Sequence, residues 1–183
     1  MTDLYSIEGP WRGRLAISTR PRGGEWLENE VRDWRRAGID AVVSLLTPDE
    51  VTELGLEQEP NYCRANGISY YSFPIMDWTV PGPEMNVLGL IETLDSDLAS
   101  GKHVAIHCRQ GIGRSSMIAS GLLIEAGLGA AAAIQRVSGA RGMPVPETAE
   151  QRKWIDSFAA TLERSRSKPE AVSRKTALGR QRA

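Results

Sequence analysis

His103-Val104-Ala105-Ile106-His107-Cys108-Arg109-Gln110-Gly111-Ile112-Gly113-Arg114-Ser115-Ser116 passes from a short β-branched run, through a glycine-rich loop, into an apolar helical pattern. Cys108 stands where the strand stops. Strand, glycine loop and helix N-terminus in that order collect an anion, because unpaired backbone N–H groups and the positive end of the helix dipole face one cup. A cysteine at the rim of such a cup is favoured as thiolate. Arg114 adds a planar cation able to bind two oxygens of one anion. Gly111 and Gly113 let the backbone curl and leave no side chain in the anion's way.

The rest of the chain reads as alternating strands and helices. Leu15–Ser18 is a strand candidate, Glu25–Ala37 a helix closed by Gly38, and 41–46 a buried strand. Thr47-Pro48-Asp49-Glu50 supplies an N-cap, a first-turn proline and a capping-box glutamate, which accounts for Glu50 without a catalytic role. A short helix over 61–66 precedes a strand over 68–73, and a proline-rich loop carrying Asp77 follows. Val87, Leu88, Ile91, Leu94 and Leu98 mark an amphipathic helix, and Ser115–Ala126 is apolar on nearly every side, as for a helix buried mid-domain. A further helix runs from Ala130 to about Val137, and 139–146 reads as loop. Thr148 and Gln151 form a capping-box pattern at the start of a last helix.

This order implies an α/β fold: a central, mostly parallel twisted sheet of about four to five strands, helices on both faces, and a phosphate-binding loop between a strand and a buried helix. A single helix joins the strand before Asp77 to the strand before Cys108. A right-handed crossover makes the two strands parallel, so Asp77 and Cys108 emerge at the same sheet edge.

The 183 residues suit one domain, 1–164, with 165–183 expected as a disordered basic tail that could meet an acidic partner. A net charge of -1 gives no reason to expect nucleic acid. No apolar run approaches the roughly 20 residues of a membrane span, and two cysteines make no disulfide framework. A cytoplasmic location is expected, with no cofactor and no metal.

His107-Cys108, five residues, Arg114 and Ser115 resemble the signature of the cysteine-dependent protein tyrosine and dual-specificity phosphatases. The similarity extends through Arg14-Leu15-Ala16-Ile17, the stretches 45–50 and 73–77, and 141–151. The pattern resembles the small dual-specificity phosphatases of the cyclin-dependent-kinase-associated type and their bacterial relatives. What the resemblance implies is metal-independent hydrolysis of phosphate monoesters on a protein or peptide: phosphotyrosine, with phosphoserine and phosphothreonine as further candidates. Cys108 is then the nucleophile of a phosphocysteine intermediate, and Arg114 with the amides of Arg109, Gln110, Gly111, Ile112 and Gly113 holds the phosphate. Asp77 is the general acid and base. His107 orients the loop, and the Ser115 hydroxyl eases departure of the thiolate. The loop lacks the lysines of phosphoinositide-directed members, which ranks phosphoprotein above lipid.

Gln151 stands where tyrosine-specific members carry a water-positioning glutamine, although the capping box explains it locally. Cys63 is expected to be structural rather than a redox partner of Cys108, and His103 to face solvent or be satisfied locally. Two competing readings are a phosphoresidue-binding module without turnover, and a rhodanese-like sulfurtransferase, against which the cysteine-to-arginine spacing and Asp77 argue.

Overall fold

The computed structural model describes residues 3–167. Five short strands form one sheet: β1 (Leu4–Ile7), β2 (Leu15–Ser18), β3 (Ala41–Ser44), β4 (Ser69–Ser72) and β5 (Val104–His107), in the spatial order β1-β2-β5-β3-β4. β1 runs antiparallel to β2, and every other pairing is parallel. The helices are α1 (Leu27–Arg36), α2 (Pro48–Glu53), α3 (Glu59–Ala65), α4 (Val87–Ala99), α5 (Arg114–Glu125), α6 (Ala130–Arg141) and α7 (Ala149–Ser167).

Successive strand residues face opposite sides of a sheet, and the core divides accordingly. Ala41 and Val43 on β3, with Val104 and Ile106 on β5, pack against residues of α4, α5, α6 and α7. Val42 and Ala105 face the other side, where Leu27, Val31 and Trp34 of α1 and Cys63 of α3 cover them. β5 lies at the centre of the sheet, paired on both sides. The helix that follows it, α5, is buried from Arg114 through Ile124. A helix apolar on all sides needs such a position.

β4 and β5 both run parallel to β3, which lies between them, so their C-terminal ends share one edge as the crossover argument requires. Several boundaries differ from the sequence expectation. β1 is an additional edge strand; only Ile7 in it is buried. α6 continues through Gly139 to Arg141, and Gly142 caps it at φ 68°, so the region expected to be loop from 139 is helical at its start. The left-handed cap falls on the glycine that tolerates it. α7 likewise continues to Ser167, which corrects a tail expected to begin at 165; the remainder of that tail lies outside the described residues. No helix among the described residues is long and apolar enough to cross a membrane.

Candidate active site

β5 ends at His107, and Cys108 opens the loop, almost fully covered at 3% exposure. The loop is held where it bends. Gly111 sits at φ 66°, and a Cβ there would lie 2.6 Å from the Ser18 carbonyl oxygen at the end of β2. Only glycine satisfies both the torsion and the close approach. From outside, the Arg141 guanidinium donates to the Gly111 carbonyl at 2.7 Å while lying 3.7 Å from the Tyr5 ring centre, which ties the loop to α6 and β1. Gly113 is the N-cap of α5 and contributes no capping side chain, so the first-turn N–H groups of this helix remain available to an anion.

Arg114 opens α5 immediately after the loop. The side chain is buried, and Glu50 grips it with two bonds, Nη1 to Oε2 at 2.7 Å and Nη2 to Oε1 at 2.9 Å. Nη1 also donates to the Ile75 carbonyl at 2.8 Å. Asp77 Oδ1 lies 3.0 Å from Nη2, and the Cys108 thiol stands within the same electrostatic neighbourhood. Burial works against the Arg114 charge, but Glu50, Cys108 and Asp77 outweigh it and raise its pKa. For Glu50, burial alone would raise the carboxyl. The bonds from Arg114 and Thr47 reverse this and bring it down to about 2.

Glu50 thus does more than the local pattern implied. The capping box with Thr47 is present, yet the same carboxylate anchors Arg114 from 64 residues away. Asp77 is partly exposed on its loop, with the Trp78 backbone N–H donating to its Oδ1 at 3.1 Å. Trp78 itself holds φ 62°, unfavourable for a bulky residue by about 1 to 2 kcal/mol, and its ring is exposed. The Arg109 side chain turns away to Glu53 at 2.6 Å, leaving its backbone N–H as its contribution to the loop, and Gln110 is exposed.

His107 and Cys108 belong to opposite faces of the sheet. Cys108 joins the core beneath α4–α7, while His107 lies against Trp34 and bonds through Nε2 to Glu59 at 2.9 Å. Ser115 is buried directly after Arg114, and its hydroxyl has no partner among the described residues. Cys63 is a free buried thiol on the His107 side; burial, with Glu59 adding to it, pushes it up to about 12. His103 is half-buried and accepts from the Arg14 backbone N–H at 3.0 Å, a locally satisfied group.

Two residues of the 141–151 stretch reach the cup. A Cβ on Gly113 would meet Glu147 Oε1 at 2.5 Å and Gln151 Nε2 at 2.8 Å, so both side chains overhang the loop. Only half of the capping box expected of Gln151 forms. Its backbone N–H bonds to Thr148, but its side chain donates to the Thr79 carbonyl at 3.2 Å, on the loop that carries Asp77. Its Oε1 is buried without a partner among the described residues. Glu147 is exposed, yet desolvation beside the loop and the Asp77 charge push its carboxyl above the ordinary range, against the pull of Arg114. The sequence reading missed Glu147; its only signal was membership of the motif stretch. Among the described residues, no group of three or more His, Cys, Asp or Glu could hold a metal ion.

This architecture is that of the cysteine-based tyrosine and dual-specificity phosphatases. Kinase-associated phosphatase, solved with serine in place of its catalytic-site cysteine, aligns with 88% of this chain and 96% of its own at a TM-score of 0.81 and 19% identity. Tk-PTP in its active form aligns with 86% of this chain and 96% of its own, at a TM-score of 0.71 and 28% identity. Residues 18–128 match the family Tc-R-P, described as "Polymorphic toxin system, DSP-PTPase phosphatase", and the chain belongs to that family. A curated relative, protein tyrosine phosphatase domain-containing protein 1 of Bos taurus, is 31% identical over 104 residues, covering 52% of this chain. The match spans only 13% of that relative's length.

Proposed function

We propose that this chain hydrolyses phosphate monoesters on proteins, phosphotyrosine first and phosphoserine or phosphothreonine as further substrates, through a phosphocysteine on Cys108. The observation that carries this reading is the buried Arg114 guanidinium, oriented by Glu50 and in contact with Asp77 at 3.0 Å, with Cys108 in its field. A cation held in place at the end of the loop supports binding of the equatorial phosphate oxygens. The Cys108 thiolate attacks phosphorus opposite the ester oxygen, the S–P bond forms, and the P–O bond breaks. Asp77 in its acid form gives its proton to the departing oxygen. In the second step Asp77 takes a proton from water as the water oxygen attacks phosphorus, and the S–P bond breaks to return the thiolate. The unpartnered Ser115 hydroxyl is suited to donate to the departing sulfur, and the unpartnered Gln151 Oε1 to accept from the attacking water.

No step calls for a metal ion. The reading includes one phosphatase domain that takes in all of α7, and a cytoplasmic location. The test is release of phosphate from an aryl phosphate and from phosphopeptides with chelator present. Turnover should be lost in Cys108→Ser; full activity in that variant would overturn the mechanism.

A further inference from the structure

We propose that Glu59 is a positioning residue of the phosphate loop, acting through His107 on the backbone N–H of Arg109. This rests on the phosphatase reading of the site. Glu59 and His107 are both fully buried, on α3 and at the end of β5, and Nε2 lies 2.9 Å from Glu59 Oε1. On the opposite side of the ring, Nδ1 faces the Cys108 carbonyl oxygen at 3.4 Å. Trp34 of α1 is tilted at 6.0 Å between ring centres. Around the carboxylate stand the Cys63 thiol of α3 and the Tyr70 hydroxyl of β4, both held neutral, first by burial and then by Glu59 itself.

Donor counting fixes the arrangement. A carbonyl oxygen only accepts, so a bond to Cys108 requires a proton on Nδ1. The bond to Glu59 holds a second proton, between Nε2 and Oε1. Whichever of those two atoms carries it, the pair is neutral overall, the condition under which an acid and an imidazole can share a site without water. With Nε2 tied to Glu59, the ring cannot turn Nδ1 away from the carbonyl.

The consequence passes through one peptide bond. The group between Cys108 and Arg109 is planar and trans, so its C=O and N–H point in opposite directions. A C=O drawn toward His107, on the α3 side of the sheet, sends the Arg109 N–H toward the cup. That N–H is the first donor a phosphate meets after Cys108. Glu59 thus aims a phosphate-binding group without touching the phosphate, and the aim costs nothing when substrate arrives.

The experiment compares Glu59→Gln, Glu59→Leu and His107→Asn with the full-length wild type. A glutamine amide can donate to Nε2 and leave the proton on Nδ1, so Glu59→Gln should stay within about threefold of wild type in kcat/KM and in orthovanadate affinity. Glu59→Leu fills the space without a bond, and should lose about tenfold in both. In His107→Asn the side-chain amide can reach the Cys108 carbonyl without Glu59, so adding Glu59→Leu should change little further. The chain has two histidines, and 15N spectra of the wild type, with a His103 variant for assignment, should show His107 protonated on Nδ1. A bare Nδ1 in the wild type overturns the proposal, as does an equal Glu59→Leu loss in both backgrounds. The spectrum and vanadate binding need no turnover, so they judge Glu59 even if the catalytic reading fails.

Discussion

Replacing Glu50 by glutamine tests the anchoring of Arg114 directly. At Glu50 Oε2, donors converge from Thr47 N at 3.0 Å, Thr47 Oγ1 at 3.3 Å and Arg114 Nη1 at 2.7 Å. At Oε1 the donor is Arg114 Nη2 at 2.9 Å, with the Arg109 guanidinium as an ion-pair neighbour at 3.4 Å. Whichever way a glutamine amide is turned, its NH2 meets another donor. The fall of the carboxyl from 4.5 to about 2 corresponds to about 3 kcal/mol between its charged and neutral forms. Glu50→Gln should therefore destabilise the fold by about 3 kcal/mol at pH 7, in line with breaking a buried pair. A depressed acid contributes its stability above the unfolded value and loses it as pH falls through the folded one. The gap between wild type and variant should hold down to about pH 4.5, then shrink to about half or less by pH 3. Urea denaturation of both proteins across that range measures it, and orthovanadate binding should weaken in parallel. A gap of the same size at pH 3 and pH 7 would refute the assignment of the stabilisation to the Glu50–Arg114 pair.

Three other substitutions have distinct expected outcomes. Asp77→Ala should slow turnover of substrates with poor leaving groups by about 100-fold or more, yet bind orthovanadate at least as well as wild type, because it frees Arg114 Nη2. Steady-state rates across leaving groups and a vanadate titration separate the two effects. Gly111→Ala should lose most phosphate affinity and lower the melting temperature, since about 1 to 2 kcal/mol of backbone strain adds to the approach of the Ser18 carbonyl. Glu147 is raised by desolvation and by Asp77, so its ionisation opposes folding. Glu147→Gln should melt higher than wild type near neutral pH, with the advantage vanishing below about pH 4.5; a constant difference would contradict the electrostatic account.

The central strand, glycine loop and buried helix were legible because their signals are local: a β-branched run, two glycines, and an apolar pattern without a polar face. Asp77 could be placed at the same edge as Cys108 by chain connectivity alone. Glu50 was half legible, since its capping box is a matter of three residues, whereas its grip on Arg114 spans 64. Glu59 gave no signal at all, because its partner is 48 residues away on β5 and no local rule requires a carboxylate there. Gln151 fitted a capping box by spacing, but the side chain was recruited by the loop over the cup. β1 escaped notice because an edge strand with one buried residue lacks the alternation that marks a half-buried strand. α6 ran past Gly139 since one interior glycine costs a helix only about 1 kcal/mol, and a better stop stands at Gly142.

The enclosure of α5 sets how the site can fail. α4, α6, α7 and the sheet all pack on this helix, whose first turn borders the proposed phosphate loop. Amides in such a helix are expected to exchange with solvent only through the largest openings of the molecule, so the slowest-exchanging amides should include those of the proposed anion seat. Exposed loops such as 76–79 can fray and re-form while the seat persists. A lesion far away, at Leu122 or Ile155 for example, would reach catalysis by lowering the fraction of molecules in which the seat exists at all, rather than by deforming it.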